Sequence, residues 1–172
     1  MDINYKQTYG ALTQVNEQQA LYQLTHPISL DELLSIARLI ATDKLKPGVM
    51  LSSPNACRDA LLTLLNDIER EVFACLFLDN QHQLRKFEIL FTGTIDRASI
   101  YPREVVKRAL AYNAAAVIFA HNHPSGSAEP SQADRKITRQ CADALALVDV
   151  RVLDHFVIGA DSVVSLAERG WL

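Results

Sequence analysis

The stretch Ala120-His121-Asn122-His123-Pro124-Ser125-Gly126-Ser127-Ala128-Glu129-Pro130-Ser131-Gln132-Ala133-Asp134 changes its local rule twice. It closes an apolar run, Ala114 to Ala120, which reads as a buried strand. Pro124, Gly126 and Pro130 then turn the chain, and Ser131 opens a helix that runs to about Leu147. A buried strand, a loop and a helix in that order suit a layered domain that mixes the two element types. His121 and His123 stand two apart at the end of extended chain, so their imidazoles point to the same side. Asp134 falls in the first turn of the helix, where its carboxylate can face both rings.

Working outward, Glu71 stands before Val72 to Leu78, a continuous apolar run ended by Asp79-Asn80, and this is a second buried strand. Gln83 to Phe91 is its hairpin partner, broken by Thr92-Gly93-Thr94. Pro102 starts a helix to about Asn113, and Val150 to Ile158 and Ser162 to Leu166 finish the chain as strands. Ser53-Pro54 opens a helix through Ala60, Leu61, Leu64 and Leu65. Further upstream, Ser29 caps a helix from Leu30 to about Lys44, with Asp31 and Glu32 in its first turn. Lys46-Pro47-Gly48 stops that helix and marks a boundary between a helical extension, residues 1–49, and a domain over 50–172. Residues 1–27 are polar and Gln-rich without a clean period and read as an arm. The fold class is α/β (α+β layered), with a mixed central sheet flanked by helices.

Composition narrows the function classes. The 172 residues are 49% hydrophobic and 22% charged, ordinary for a globular chain. Lys and Arg number 17 against 20 Asp and Glu, a net charge of −3 that excludes a generally basic nucleic-acid coat. No apolar run is long enough for a membrane span, and the polar start lacks the shape of a secretory signal. Cys57, Cys75 and Cys141 are odd in number and widely spaced, with no Cys-x-x-Cys, so a reduced cytoplasmic protein is expected.

Two His and one Asp supply nitrogen and oxygen donors suited to zinc, and three protein ligands with one open position is the catalytic pattern. Water on such an ion has its pKa lowered to roughly 7. A base must still take its proton and later deliver it to a leaving group. Glu71, set before a buried strand, is the candidate, with Glu69, Glu104 and Glu129 as rivals. Ser131 can donate to a developing oxyanion. Ser131-x-x-Asp134 is also a helix capping pair, and a cap can orient a ligand as well. His155 reads as a partly buried strand histidine satisfied by a neighbour.

His121-x-His123-Pro124-x6-Ser131-x2-Asp134 resembles the JAMM motif of the JAB1/MPN metalloprotease fold, complete at each position. Thr92-Gly93-Thr94, Pro102-Arg103-Glu104-Val105, Asn113-Ala114-Ala115-Ala116, the run His121 to Gly126, and Leu153-Asp154-His155 resemble its RadC-like branch over about residues 50 to 172. The resemblance implies a cytidine-deaminase-like architecture and one Zn²⁺ held by His121, His123 and Asp134. It also implies Glu71 as acid/base with Ser131 assisting. The corresponding reaction is attack of metal-activated water on the amide carbonyl of a peptide or isopeptide substrate. RadC-like proteins also carry an N-terminal helix-hairpin-helix region that contacts DNA through Gly-x-Gly turns. No Gly-x-Gly occurs here, so the resemblance is to a short form, and direct nucleic-acid binding is not expected. Two other functions stand beside the hydrolase: a DNA-repair or DNA-processing role, and a non-catalytic MPN interaction module. Residues 1–49 are left to dock on the domain, to mediate a homodimer, or to do neither.

Overall fold

A computed structural model describes residues 8–16, 21–51, 54–93 and 100–172. The polar start at 1–7, Ser53 and Thr94 of the sequence reading lie outside the described residues. The elements in chain order are β1 (Thr8–Tyr9), β2 (Leu12–Asn16), β3 (Leu21–Leu24), α1 (Leu30–Lys44), α2 (Pro54–Leu65), β4 (Val72–Leu78) and β5 (Leu84–Thr92). They continue with α3 (Pro102–Ala111), β6 (Ala116–Asn122), α4 (Gln132–Ala146), β7 (Arg151–Ile158) and β8 (Val163–Ser165). The main sheet has the order β5-β4-β6-β7-β8, with β6 and β7 parallel and the other neighbours antiparallel.

The continuous apolar runs are explained by the two covers of this sheet. Along β4, Phe73, Cys75 and Phe77 pack with Val105 and Ala109 of α3 and Cys141 and Leu145 of α4. The alternate residues Val72, Ala74, Leu76 and Leu78 pack with Cys57, Ala60, Leu61 and Leu65 of α2 and Ala41 of α1. β6 divides in the same way, with Val117 and Phe119 on the α3/α4 side and Ala116, Ile118 and Ala120 on the α2 side. A strand covered on both faces has no polar positions in its interior, which is why its period of two is invisible in hydropathy. Each fully buried Phe or Leu stabilises the fold by about 1.5–3 kcal/mol.

Two differences from the sequence reading matter. β6 begins at Ala116 rather than Ala114, because Asn113 takes a positive φ of 50° and Ala114 N–H donates to Ala109 C=O, closing α3. The strand then runs on through His121 and Asn122. The arm without regular structure does not hold for the described residues of 1–27, where β1, β2 and β3 form an antiparallel sheet. The expected helical extension is therefore helical over α1 and stranded before it. Gly10, at φ +54°, makes the β1–β2 turn, and Tyr9 and Ala11 pack on Ile36 of α1. No helix among the described residues is long and apolar enough to cross a membrane.

Candidate metal centre

The candidate residues sit on the α3/α4 side of the sheet. His121 is the penultimate residue of β6, His123 lies just beyond the strand, and Asp134 is in the first turn of α4. His121 Nε2 stands 2.9 Å from His123 Nε2 and 3.5 Å from Asp134 Oδ1. His123 Nε2 stands 3.6 Å from Asp134 Oδ2. One donor atom from each residue lies within 4.8 Å of the others. A tetrahedral ion with bonds of about 2.0–2.1 Å separates its ligand atoms by roughly 3.4 Å. The donor set and its spacing fit zinc.

Neighbours set which nitrogen of each ring is free. His123 Nδ1 lies 2.7 Å from the Ser127 carbonyl, so it carries the hydrogen and Nε2 keeps its lone pair. His121 Nδ1 lies 2.8 Å from His155 Nε2, and His155 Nδ1 lies 2.6 Å from Thr138 Oγ1. Burial pushes the His155 imidazole well below its usual pKa, which keeps it neutral with one N–H. With His121 ligating through Nε2, its Nδ1–H donates to His155, and His155 donates in turn to Thr138. The Thr138 hydroxyl donates to the Asp134 carbonyl at 2.5 Å, so the chain of bonds runs from one residue of the cluster back to another. Such outer partners orient a ligand ring and raise its basicity.

Asp134 is held by its own helix start. Its N–H donates to Ser131 Oγ at 3.1 Å, and Ser131 N–H donates to Asp134 Oδ2 at 2.6 Å, a complete capping box. Burial alone would push the carboxyl up, but the His121 and His123 rings and the Ser131 side chain hold it far below the usual range. The same Asp134 carboxylate raises the His123 pKa above 6.5, with smaller help from the Ser127 carbonyl and Glu71. The loop between His123 and Asp134 is fixed by close packing. Ala160 N–H donates to Gly126 C=O at 2.9 Å, and a Cβ on Gly159 would sit 2.5 Å from Gly126 O and 2.6 Å from Ala128 N.

Glu71 immediately precedes β4, whose Phe73 pairs with His121 of β6. Glu71 lies two residues before Phe73, and it interacts electrostatically with His123, two residues after His121. Two of the three rivals are engaged elsewhere, Glu104 accepting from Lys107 and Glu129 from both terminal nitrogens of Arg169 at 2.6 and 2.7 Å, and Glu69 is exposed. Ser131 is exposed beside Asp134, and its Oγ accepts from the Asp134 N–H in the cap. His155 is fully rather than partly buried, and its satisfying neighbours are His121 and Thr138. Thr138 was not singled out from the sequence, although it lies four residues after Asp134 on one helix face, a spacing that signals proximity. Asn122 was also missed, and its position between the two histidines was the only signal for it.

The sequence model of the RadC-like JAB domain matches residues 51–171. The chain belongs to this family. The RadC-like chain is 61% identical to a UPF0758 protein of Cellvibrio japonicus (strain Ueda107) over 145 residues. It is 59% identical to UPF0758 proteins of Vibrio parahaemolyticus and Vibrio cholerae over the same length. In each case the match covers 84% of this chain and 65% of the relative, a little under two thirds of the relatives' length.

Proposed function

We propose that this RadC-like chain is a Zn²⁺-dependent hydrolase of amide bonds, acting on a peptide or isopeptide. The observation that carries the reading is the convergence of His121 Nε2, His123 Nε2 and the Asp134 carboxylate, with the Glu71 acid near enough to His123 to interact with it electrostatically. His121, His123 and Asp134 would hold the ion, and three ligands leave a position open. When bound, Zn²⁺ supplies a Lewis acid and acidifies the attacking water.

The other steps belong to side chains of the protein. Glu71 takes the proton of the attacking water and returns it to the departing amine nitrogen, a role worth 10²–10⁴-fold or so in rate. Ser131 donates its hydroxyl hydrogen to the carbonyl oxygen as negative charge builds there. The Ser131–Asp134 capping box keeps the oxyanion donor and a ligand in fixed relation.

The test is metal analysis of the purified chain with cleavage of defined peptides and isopeptide-linked peptides, beside Glu71→Gln and a duplex DNA control. One Zn²⁺ per chain is expected, with amide cleavage reduced about 10²-fold or more in Glu71→Gln. A wild type that folds in excess zinc without taking it up would overturn the reading. So would Glu71→Gln cleaving amides as fast as wild type. Glu71-dependent cleavage confined to DNA would move the chain to the nucleic-acid class.

A further inference from the structure

Asn122 is 1% exposed, and its amide is fully committed. Oδ1 accepts from Val72 N–H at 2.8 Å, and Nδ2 donates to the carbonyls of Ile68 at 2.9 Å and Arg70 at 3.1 Å. An amide of this kind has two N–H donors and a carbonyl oxygen, and here both ends bind a short run of backbone some fifty residues upstream. Two of these three backbone groups, Arg70 C=O and Val72 N–H, flank Glu71.

The placement has a structural cause. Residue pairing between β4 and β6 runs from Leu78↔Ala116 to Phe73↔His121 and stops there. Beyond that point the edge facing β6 is held by the Asn122 side chain instead of by pairing with β6, while Val72 still pairs with Thr92 of β5. From the other side, Gly93 N–H donates to Glu71 C=O at 2.8 Å. The backbone at Glu71 is thus gripped on both flanks. Successive side chains of β6 project to opposite faces, so Asn122 reaches this backbone from the α2 side while His121 faces Asp134.

We infer that Asn122 is a positioning residue for Glu71: its amide fixes the backbone on both sides of the acid and so aims the carboxylate at the metal centre. The inference rests on the hydrolase reading for the role of Glu71. The ligands do not depend on Asn122 for their own placement. β6 pairs with β7 through Asn122↔Ile158, and His123 N–H donates to Ile158 C=O at 2.8 Å, so the ligand strand is held from its other edge.

The test uses Co²⁺ as the probe in the full chain, comparing wild type, Glu71→Gln, Asn122→Ala and the double variant. Asn122→Thr, a strand-compatible residue of similar size, stands in if Asn122→Ala does not fold. Co²⁺ affinity of Asn122→Ala is expected within about threefold of wild type, since no ligand is touched. Its visible bands should move in the same direction as those of Glu71→Gln, and the double variant should show no shift beyond Glu71→Gln alone, the signature of two residues acting as one unit. Hydrogen exchange at the Val72 amide should accelerate about tenfold or more in Asn122→Ala as the lead-in loosens.

Bands of Asn122→Ala that match wild type while those of Glu71→Gln move would overturn the inference, as would additive shifts in the double variant. Those results leave the hydrolase reading intact. Failure of the wild type to bind Co²⁺ is the separate result that overturns the metal-centre reading, and the Asn122 role with it.

Discussion

Replacing His155 by Phe isolates the bond chain behind the metal centre from the packing around it. Phenylalanine fills a similar volume and keeps the ring contacts with Phe73 and Phe119, whose centroids lie 5.4 and 5.7 Å from that of His155. What disappears is the acceptor for His121 Nδ1–H, in a residue only 2% exposed. Leaving one buried donor unpaired costs about 1–3 kcal/mol. The Thr138 hydroxyl retains its bond to the Asp134 carbonyl and adds little to that cost. For a chain of this size the melting temperature falls by roughly 2–12 °C, taking about 2–4 °C per kcal/mol. Without its partner the His121 ring can take the other tautomer, and Zn²⁺ affinity falls about 10–100-fold. Calorimetry reads the first effect and competition with a chromophoric chelator reads the second. Thr138→Val, which spares the His121–His155 bond, should weaken zinc binding less than His155→Phe. If His155→Phe binds Zn²⁺ within about twofold of wild type, the His121 tautomer is not set by His155 and the reasoning fails.

Without metal, Asp134 is depressed and contributes stability above its ordinary value of 3.8, lost as pH falls through its lower folded value. His123 is raised and contributes stability below 6.5, lost as pH rises through its higher folded value. The proton on His123 competes with the ion, so the zinc-induced rise in melting temperature should grow from pH 5.5 to 9 or so, which scanning fluorimetry with and without Zn²⁺ checks. Ser131→Ala removes the α4 cap and should destabilise by about 0.5–2 kcal/mol in urea unfolding, with a further loss of rate in amide cleavage. Gly159→Ala forces a Cβ against Gly126 O and Ala128 N. It should destabilise the fold by about 1–3 kcal/mol and weaken zinc binding by displacing the loop that orients His123.

Elements with strong local punctuation are legible in the sequence. Ser29 before Leu30, with a stop at Lys46-Pro47-Gly48, gives α1 its observed bounds, and Pro130-Ser131 does the same for the start of α4. The buried strands β4 and β6 were legible from continuous apolar runs, although the end of β6 was not, because His121 and Asn122 are polar residues buried for their bonds. β1 to β3 were illegible because β1 is two residues long and polar side chains interrupt β2. The grouping of His121, His123 and Asp134 was readable from spacing. The depth of His155 and the reach of Asn122 were not, since both depend on partners remote in sequence.

The alternation along β6 amounts to a parity rule. Ala116, Ile118, Ala120 and Asn122 belong to one layer, and Val117, Phe119 and His121 to the other. Inserting or deleting one residue inside this strand would exchange the two sets, swinging the imidazoles toward α2 and the amide of Asn122 toward α4. Residues added in the turns, by contrast, leave the odd and even positions of the strand in register.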